Sequence, residues 1–313
     1  MKKPQLTAYI SQWHDSKSPA FKIILDTLTD YASIDYQPFS AFNPQTQDRP
    51  AIFCQHLPPH IHNWQPDYPV TWIPMADNYL DYAGDYWDNF NQHIKVLTLS
   101  SLMAQATENT NLRTYNALFY FNPDDFTPVD WSHKLSLMYW NRKGMIEKDL
   151  LYALCKALNV DTLYFRDKVD PLPFVTQYIP NQSQLPSELV LIRNTTSRED
   201  YLAYLERANI YIAPRPVEGV GLSFLEAMAS GCVVIGADFP TMNDYITHGE
   251  NGLLLPLKAG VIAQRRQRFI TYSQIKKLPI LGKYLAHAMH ALLLPSYIET
   301  DHDVAHTFNI SRE

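Results

Sequence analysis

A chain of 313 residues, 46% apolar and 19% charged, is long enough for two ordinary globular domains and too apolar to be a disordered protein. Its net charge of −6 and isoelectric point near 6.0 exclude the basic surface of a general nucleic-acid binder. The three cysteines, Cys54, Cys155 and Cys232, have neither metal-ligand nor redox spacing and suit a reducing compartment.

The opening turns polar again at Ser11-Gln12-Trp13-His14, too early for the apolar centre of a signal peptide, which predicts a cytoplasmic protein. Leu6 to Ile10 predicts a strand, Ser11 to Pro19 a loop, and Phe21, Ile24, Leu25 and Leu28 recur at helical spacing. Further buried strands are expected at Ala51 to Cys54, Val70 to Pro74 and Ile94 to Leu99. A turn-rich stretch with two prolines, Phe121 to Pro128, reads as a linker. Beyond it come strands at Leu135 to Tyr139, Thr162 to Phe165, Leu189 to Ile192 and Ile210 to Pro214, with helices over Lys148 to Leu158 and Arg198 to Arg207. Strands alternating with helices imply parallel sheets, and ligands of such sheets bind beyond the carboxyl ends of the strands.

The most informative segment runs from Ala213 to Gly231. A strand ends at Pro214, a loop carries Glu218, and Gly219-Val220-Gly221 opens a helix with Leu222, Leu225 and Met228 on its buried face. The two glycines are expected to let backbone approach a ligand without a Cβ in the way. The N–H groups of the helix's first turn suit an anion such as a diphosphate. Glu218 and Glu226 are pure acceptors and can hold hydroxylated rings on either side of it. The plainer reading is two solvated carboxylates near a helix start, where negative charge is mildly favourable. Downstream, Cys232 to Gly236 predicts a buried strand, Met242 to Ile246 a short helix, and His248-Gly249-Glu250-Asn251-Gly252 a turn into Leu253 to Pro256.

From Glu218 to Gly231 the residues follow E-G-x-G-x-x-x-x-E-A-M-A-x-G, and Val233 to Leu255 adds a strand and a G-E-N-G-L-L turn. In these features the chain resembles the family 4 retaining glycosyltransferases, strongly over about a fifth of its length. The resemblance implies an α/β GT-B fold, two Rossmann-like domains with an intervening cleft. The expected domains are 1–125 on the acceptor side and 126–285 binding the donor, with a tail at 286–313 that crosses back. It also implies that Glu218 touches the donor sugar, Glu226 holds the ribose, and the amides of Gly219, Val220, Gly221 and Leu222 bind the diphosphate. The family neutralises the leaving diphosphate with an Arg and a Lys. Here Lys143-Gly144 matches, Met138 occupies the expected Arg position, and Arg142 or Lys148 is the substitute.

In the first half, His56 is the candidate for contacting the transferred sugar, ahead of His60 and His62, and Asp77 follows another strand end. Catalytic roles are therefore expected for Glu218, His56 and Lys143. No metal or other cofactor is expected; His60-Ile61-His62 has no further ligand cluster beside it. The expected partners are a nucleotide-sugar donor and a saccharide or lipid-linked acceptor, with no nucleic acid. From Asn251 to Ile298 there is no acid, while cations between Lys258 and Lys283 alternate with apolar residues. That stretch, 258–285, suits an anionic membrane surface, or equally a helix packed on the core with a solvated basic face. The implied reaction moves a sugar, with retention, from a nucleoside diphosphate to a hydroxyl, as in surface polysaccharide or glycolipid synthesis. A nucleotide-sugar epimerase or hydrolase on the same fold, and a non-catalytic nucleotide-sugar-binding subunit, are the alternatives.

Overall fold

A computed structural model of the chain describes residues 3–17, 20–58, 61, 65–79, 86–87, 90, 93–108, 110–132, 134–142, 146, 148–167, 178–193 and 197–256. The chain divides into two compact units. The first comprises Met1–Phe121, Val217–Leu225 and Phe239–Tyr245, and the second Asn122–Pro216, Glu226–Asp238 and Ile246–Glu313.

The first unit holds a parallel sheet of six strands, β1 (Gln5–Ile10), β2 (Ser33–Pro38), β3 (Ala51–Cys54), β4 (Val70–Ile73), β5 (Ile94–Thr98) and β6 (Arg113–Asn116). Their order is β2-β1-β3-β4-β5-β6, and every pair is parallel. Among the described residues its helices include α1 (Gln12–Lys17), α2 (Ala20–Asp26), α3 (Ala76–Tyr79) and α4 (Ser101–Glu108). Trp72 of β4 is fully buried and meets the rings of Tyr79, Trp87 and Phe90 at 5.1, 5.5 and 5.2 Å. Burying one such side chain contributes roughly 1.5–3 kcal/mol, so this aromatic cluster anchors the inner strands.

Three features differ from expectation. Residues 12–17 are helical, because Ser11 caps them: its Oγ accepts from the His14 amide at 3.2 Å and its carbonyl from the Asp15 amide at 2.9 Å. Strands β2 and β6 have no counterpart among the apolar runs. Both are edge strands with exposed or half-buried side chains, so hydrophobicity does not mark them.

The second unit's sheet contains β7 (Ser136–Trp140), β8 (Thr162–Arg166), β9 (Glu188–Ile192), β10 (Ile210–Ile212), β11 (Val233–Asp238) and β12 (Gly252–Pro256). The order is β12-β11-β10-β7-β8-β9, again all parallel. Helix α5 (Lys148–Ala157) buries Leu150, Leu151, Leu154 and Cys155, one stripe at helical spacing. Helix α6 (Arg198–Leu205) starts with a capping box: the Ser197 hydroxyl accepts from the Asp200 amide, and the Asp200 carboxylate from the Ser197 amide. Helix α7 (Leu222–Ala229) follows β10 after a nine-residue loop, 213–221. Among the described residues no helix is long and apolar enough to cross a membrane. The basic stretch 258–285, the tail 286–313, His60 and His62 lie outside the described residues.

Candidate active site

Each strand order contains one reversal. In the second sheet the chain starts at β7, builds outward through β8 and β9, then returns to the other side of β7 with β10. Successive crossovers there leave on opposite faces, so the loops after β7 and β10 diverge and leave room beyond the strand ends. Those loops begin at Asn141 and Ala213. In the first sheet the reversal lies between β1 and β3, whose following loops begin at Ser11 and Gln55.

The loop after β10 is buried for most of its length, and Glu218 is only 4% exposed. The Glu218 carbonyl accepts from the Thr241 hydroxyl at 2.7 Å, which pins the loop. Gly221 has φ +80°, and its carbonyl accepts from the Phe224 and Leu225 amides at 3.0 and 3.2 Å, so it forms the first turn of α7. Among the described residues, the N–H groups of Val220, Gly221 and Leu222 donate to no protein acceptor. They form the anion-seeking end of the helix.

The two glycines owe their small size to the protein itself. A Cβ at Gly219 would lie 2.8 Å from Met75 Sδ and 3.0 Å from Asp77 Oδ1, and one at Gly221 would lie 2.0 Å from the Phe224 ring. Tight packing and, at Gly221, a left-handed backbone thus call for glycine at both positions in addition to any role toward a ligand.

Glu226 sits midway along α7 and is buried. Its Oε1 accepts from Arg198 Nε at 2.7 Å, with the carboxylate side chain 6% and the arginine side chain 36% exposed. Burial raises the Glu226 pKa and the Arg198 charge opposes that rise. Tyr201 lies near it, and burial raises the Tyr201 pKa well above the usual value, with Tyr211 and Glu226 adding to the rise.

Arg166 ends β8. It is 8% exposed and stacks its guanidinium 4.1 Å from the Trp140 ring centroid and 5.7 Å from that of Tyr201. Its Nε is buried without a hydrogen-bond partner, and among the described residues no carboxylate pairs with it. Burial lowers its pKa and the neighbouring Arg142 lowers it further, while Tyr201 and Tyr211 act the other way. Arg142 approaches the same indole, at 5.1 Å. A buried cation lacking an anion is costly to maintain, and a bound anion would offset that cost.

At the first sheet's reversal, His14 is buried and its Nδ1 lies 2.8 Å from Ser11 Oγ. Burial and then His56 lower its pKa from 6.5 to about 4, against the raising effect of Asp77. His56 Nδ1 lies 3.1 Å from the Tyr79 hydroxyl, and its pKa is also lowered by its partial enclosure, with Asp77 opposing. Gln55 immediately before it has φ +70°, a strained conformation for a non-glycine residue that turns the chain sharply as it leaves β3. Two near-neutral imidazoles and one carboxylate therefore share this edge.

Of the residues expected from sequence, Glu218, Gly219, Val220, Gly221, Leu222 and Glu226 lie on one continuous loop and helix. Arg142 is at the end of β7, and His56 and Asp77 follow β3 and β4. Lys148 heads α5 with its ammonium 5.9 Å from the Tyr152 ring centroid. Lys143 lies outside the described residues. Sequence reasoning missed Arg166, Arg198 and His14. The signal for Arg166 was available, as an arginine closing an apolar strand; Arg198 was hidden as an ordinary helix-start residue, and His14 by the loop assignment.

Residues 182–276 match the family described as glycosyl transferases group 1, a span that contains α6, β10, the 213–221 loop, α7, β11 and β12. No curated protein matches the sequence. Sucrose-phosphate synthase from Thermosynechococcus elongatus is similar in structure, with a TM-score of 0.57 and 14% identity over 93% of this chain and 95% of that one. The chain has the GT-B fold. A glycosyltransferase from Rickettsia africae ESF-5 aligns with a TM-score of 0.53 and 13% identity, covering 96% of this chain and 98% of that one. Anabaena HepE in complex with UDP aligns with a TM-score of 0.52 and 12% identity, covering 98% and 99%. At such identities the likeness speaks for the GT-B architecture alone.

Proposed function

We propose that this chain is a glycosyltransferase that moves a sugar from a nucleoside diphosphate to a hydroxyl acceptor with retained anomeric configuration. The observation that carries the reading is the 218–226 segment. Two buried glutamates bracket a helix start whose amides are open to an anion, at the reversal point of the second sheet, within the span that matches group 1. Glu218 orients the donor sugar, Glu226 accepts from the ribose hydroxyls, and the Val220 to Leu222 amides hold the diphosphate. Arg142 and Lys143, as the resemblance implies, and Arg166 with them, balance the charge that develops as the glycosidic bond breaks.

In the reaction the bond from the anomeric carbon to the diphosphate oxygen breaks, and the acceptor oxygen bonds to that carbon on the same face. The acceptor's proton passes to the departing diphosphate, so no protein nucleophile is used. His56 contacts the transferred sugar. The helix end and the cations do this work without a metal. The acceptor is a saccharide or a lipid-linked saccharide of a surface polysaccharide or glycolipid, reached from the cytoplasmic side, and the composition of 258–285 suits either an anionic membrane surface or a helix packed on the core.

The test is calorimetric titration of wild type and Glu226→Gln with UDP, GDP and ADP, followed by product analysis with the corresponding sugar conjugates. Wild type should bind one of them, and Glu226→Gln should bind it at least about tenfold more weakly. Binding of none, or equal binding by the variant, would remove the basis of the reading. Consumption of the donor without any acceptor would instead favour a hydrolase or epimerase on this fold.

A further inference from the structure

Glu226 presents a physical problem that its own helix does not solve. A carboxylate 6% exposed gains protons readily, and a protonated carboxyl is a poorer acceptor for sugar hydroxyls. Among the described residues, few titratable groups gather around it and its neighbour Tyr201. On α6 stand Arg198, whose Nε donates at 2.7 Å, and Tyr201; on β10 stands Tyr211; Cys232 follows α7; Arg166 on β8 lies behind the Tyr201 ring. Burial raises the Tyr201 phenol well above its usual value and pushes the Cys232 thiol up to about 12, so neither becomes charged near neutrality. Arg166 faces Trp140 and Tyr201. Among the described residues Arg198 is the cation that meets Glu226 directly, and the Ser197–Asp200 capping box fixes the first turn of the helix from which it reaches.

We propose that Arg198 is a positioning residue whose guanidinium keeps the Glu226 carboxylate ionised and oriented to read the paired hydroxyls of the donor's ribose. The proposal rests on the function given above, since it assigns the ribose to Glu226. It goes beyond it in naming a residue outside the E-G-x-G-x-x-x-x-E segment as the source of ribose selectivity and of its pH range. The Nε–Oε1 bond occupies one carboxylate oxygen from the side, which limits rotation and sets the direction of the remaining acceptor sites. Being 36% exposed, the arginine side chain is not a core element, so its loss should be felt more in binding than in folding.

The experiment measures the affinity of UDP, GDP and ADP, and of the 2′-deoxy and 3′-deoxy forms of whichever binds, from about pH 8 down to about pH 5.5. Wild type, Arg198→Gln, Arg198→Lys and Arg198→Gln/Glu226→Gln are compared, with thermal melts run alongside. Wild type should bind with little pH dependence and discriminate against the deoxy forms by about tenfold or more. Arg198→Gln should lose about tenfold in affinity as the pH falls, because the carboxyl pKa rises once the cation is gone, and should lose most of the deoxy discrimination. Arg198→Lys keeps the charge and should restore the flat pH profile while recovering only part of the selectivity. The double variant should be weak and flat.

A merely structural role would lower the melting temperature without moving the pH profile. A pH-independent Arg198→Gln with wild-type discrimination would overturn the proposal and leave the function intact. If Arg198→Gln does not fold, Arg198→Lys and the double variant decide: a double variant whose affinity still falls with pH overturns the proposal. Wild type that binds no nucleoside diphosphate would overturn the functional reading itself, and this inference with it.

Discussion

The two sheets have six parallel strands each and one reversal each, yet they place opposite kinds of chemistry at that reversal. Beyond β1 and β3 stand His14 and His56, both with lowered pKa, together with Asp77 near them. Beyond β7, β8 and β10 stand Arg142, Arg166 and the loop to Glu218, with the Arg198–Glu226 pair beside them. Neutral imidazoles exchange hydrogen bonds with uncharged hydroxyls, whereas guanidinium groups and carboxylates anchor charged or polyhydroxylated groups. The same topology thus carries two imidazoles and a carboxylate at one sheet and guanidinium groups and carboxylates at the other, because what differs is the side chains at the strand ends and not the strands.

The largest effect expected is at the helix start in the second pattern. Gly221→Ala would force a Cβ within 2.0 Å of the buried Phe224 ring at a backbone with φ +80°, and should cost about 2–4 kcal/mol of stability by chemical denaturation. A variant as stable as wild type would mean that the start of α7 is not held as described.

Next in size is Arg166→Met, which removes a buried cation while keeping the stacking volume. It should weaken nucleoside diphosphate binding by about tenfold and leave the melting temperature unchanged or higher, since among the described residues no carboxylate loses its partner. A marked loss of stability with unaltered binding would make Arg166 part of the scaffold and dissolve the contrast between the two sheets.

The imidazole side of the comparison is tested by pH. The folded protein holds His14 near a pKa of about 4, below its ordinary 6.5, so the unfolded chain takes up a proton first as the pH drops. The stability that this group contributes is complete above pH 6.5 and is lost progressively down to about 4. His14→Gln should flatten that part of the melting-temperature profile, and His56→Gln should do so by less, since His56 is exposed and His14 is buried. Unchanged acid sensitivity in both variants would show that the imidazoles are not held neutral. The smallest effect is expected at the first sheet's edge: Tyr115→Lys on β6, where the side chain is 57% exposed, should change stability by less than about 0.5 kcal/mol.

The sheets also differ in how much of them could be read in advance. All six strands of the second coincide with apolar runs, including its edges β9 and β12, because even Leu189 to Ile192 and Leu253 to Leu255 are mostly apolar. In the first, the four inner strands were legible and the edges were not. Ser-Ile-Asp-Tyr-Gln-Pro and Arg-Thr-Tyr-Asn carry side chains that meet solvent, so their pairing depends on a neighbour's backbone and leaves little trace in hydrophobicity. Helix α1 escaped for a related reason: six polar-rich residues hold a helix through the Ser11 cap and not through an apolar stripe.

What the residues determined by themselves is local and periodic: the buried strands, the helical stripe of α5, and the spacing that puts Glu218 and Glu226 at the two ends of one loop and helix turn. These follow from bonds and burial within a few residues of each other, which short-range pattern encodes directly. Only the tertiary structure decided that Arg166 is buried with its Nε unpartnered among the described residues, that Arg198 reaches Glu226 from 28 residues away in the chain, and that His14 stands close enough to His56 to share its field. Each of those depends on which strands become neighbours, and strand order is set by long-range packing that no stretch of sequence carries alone.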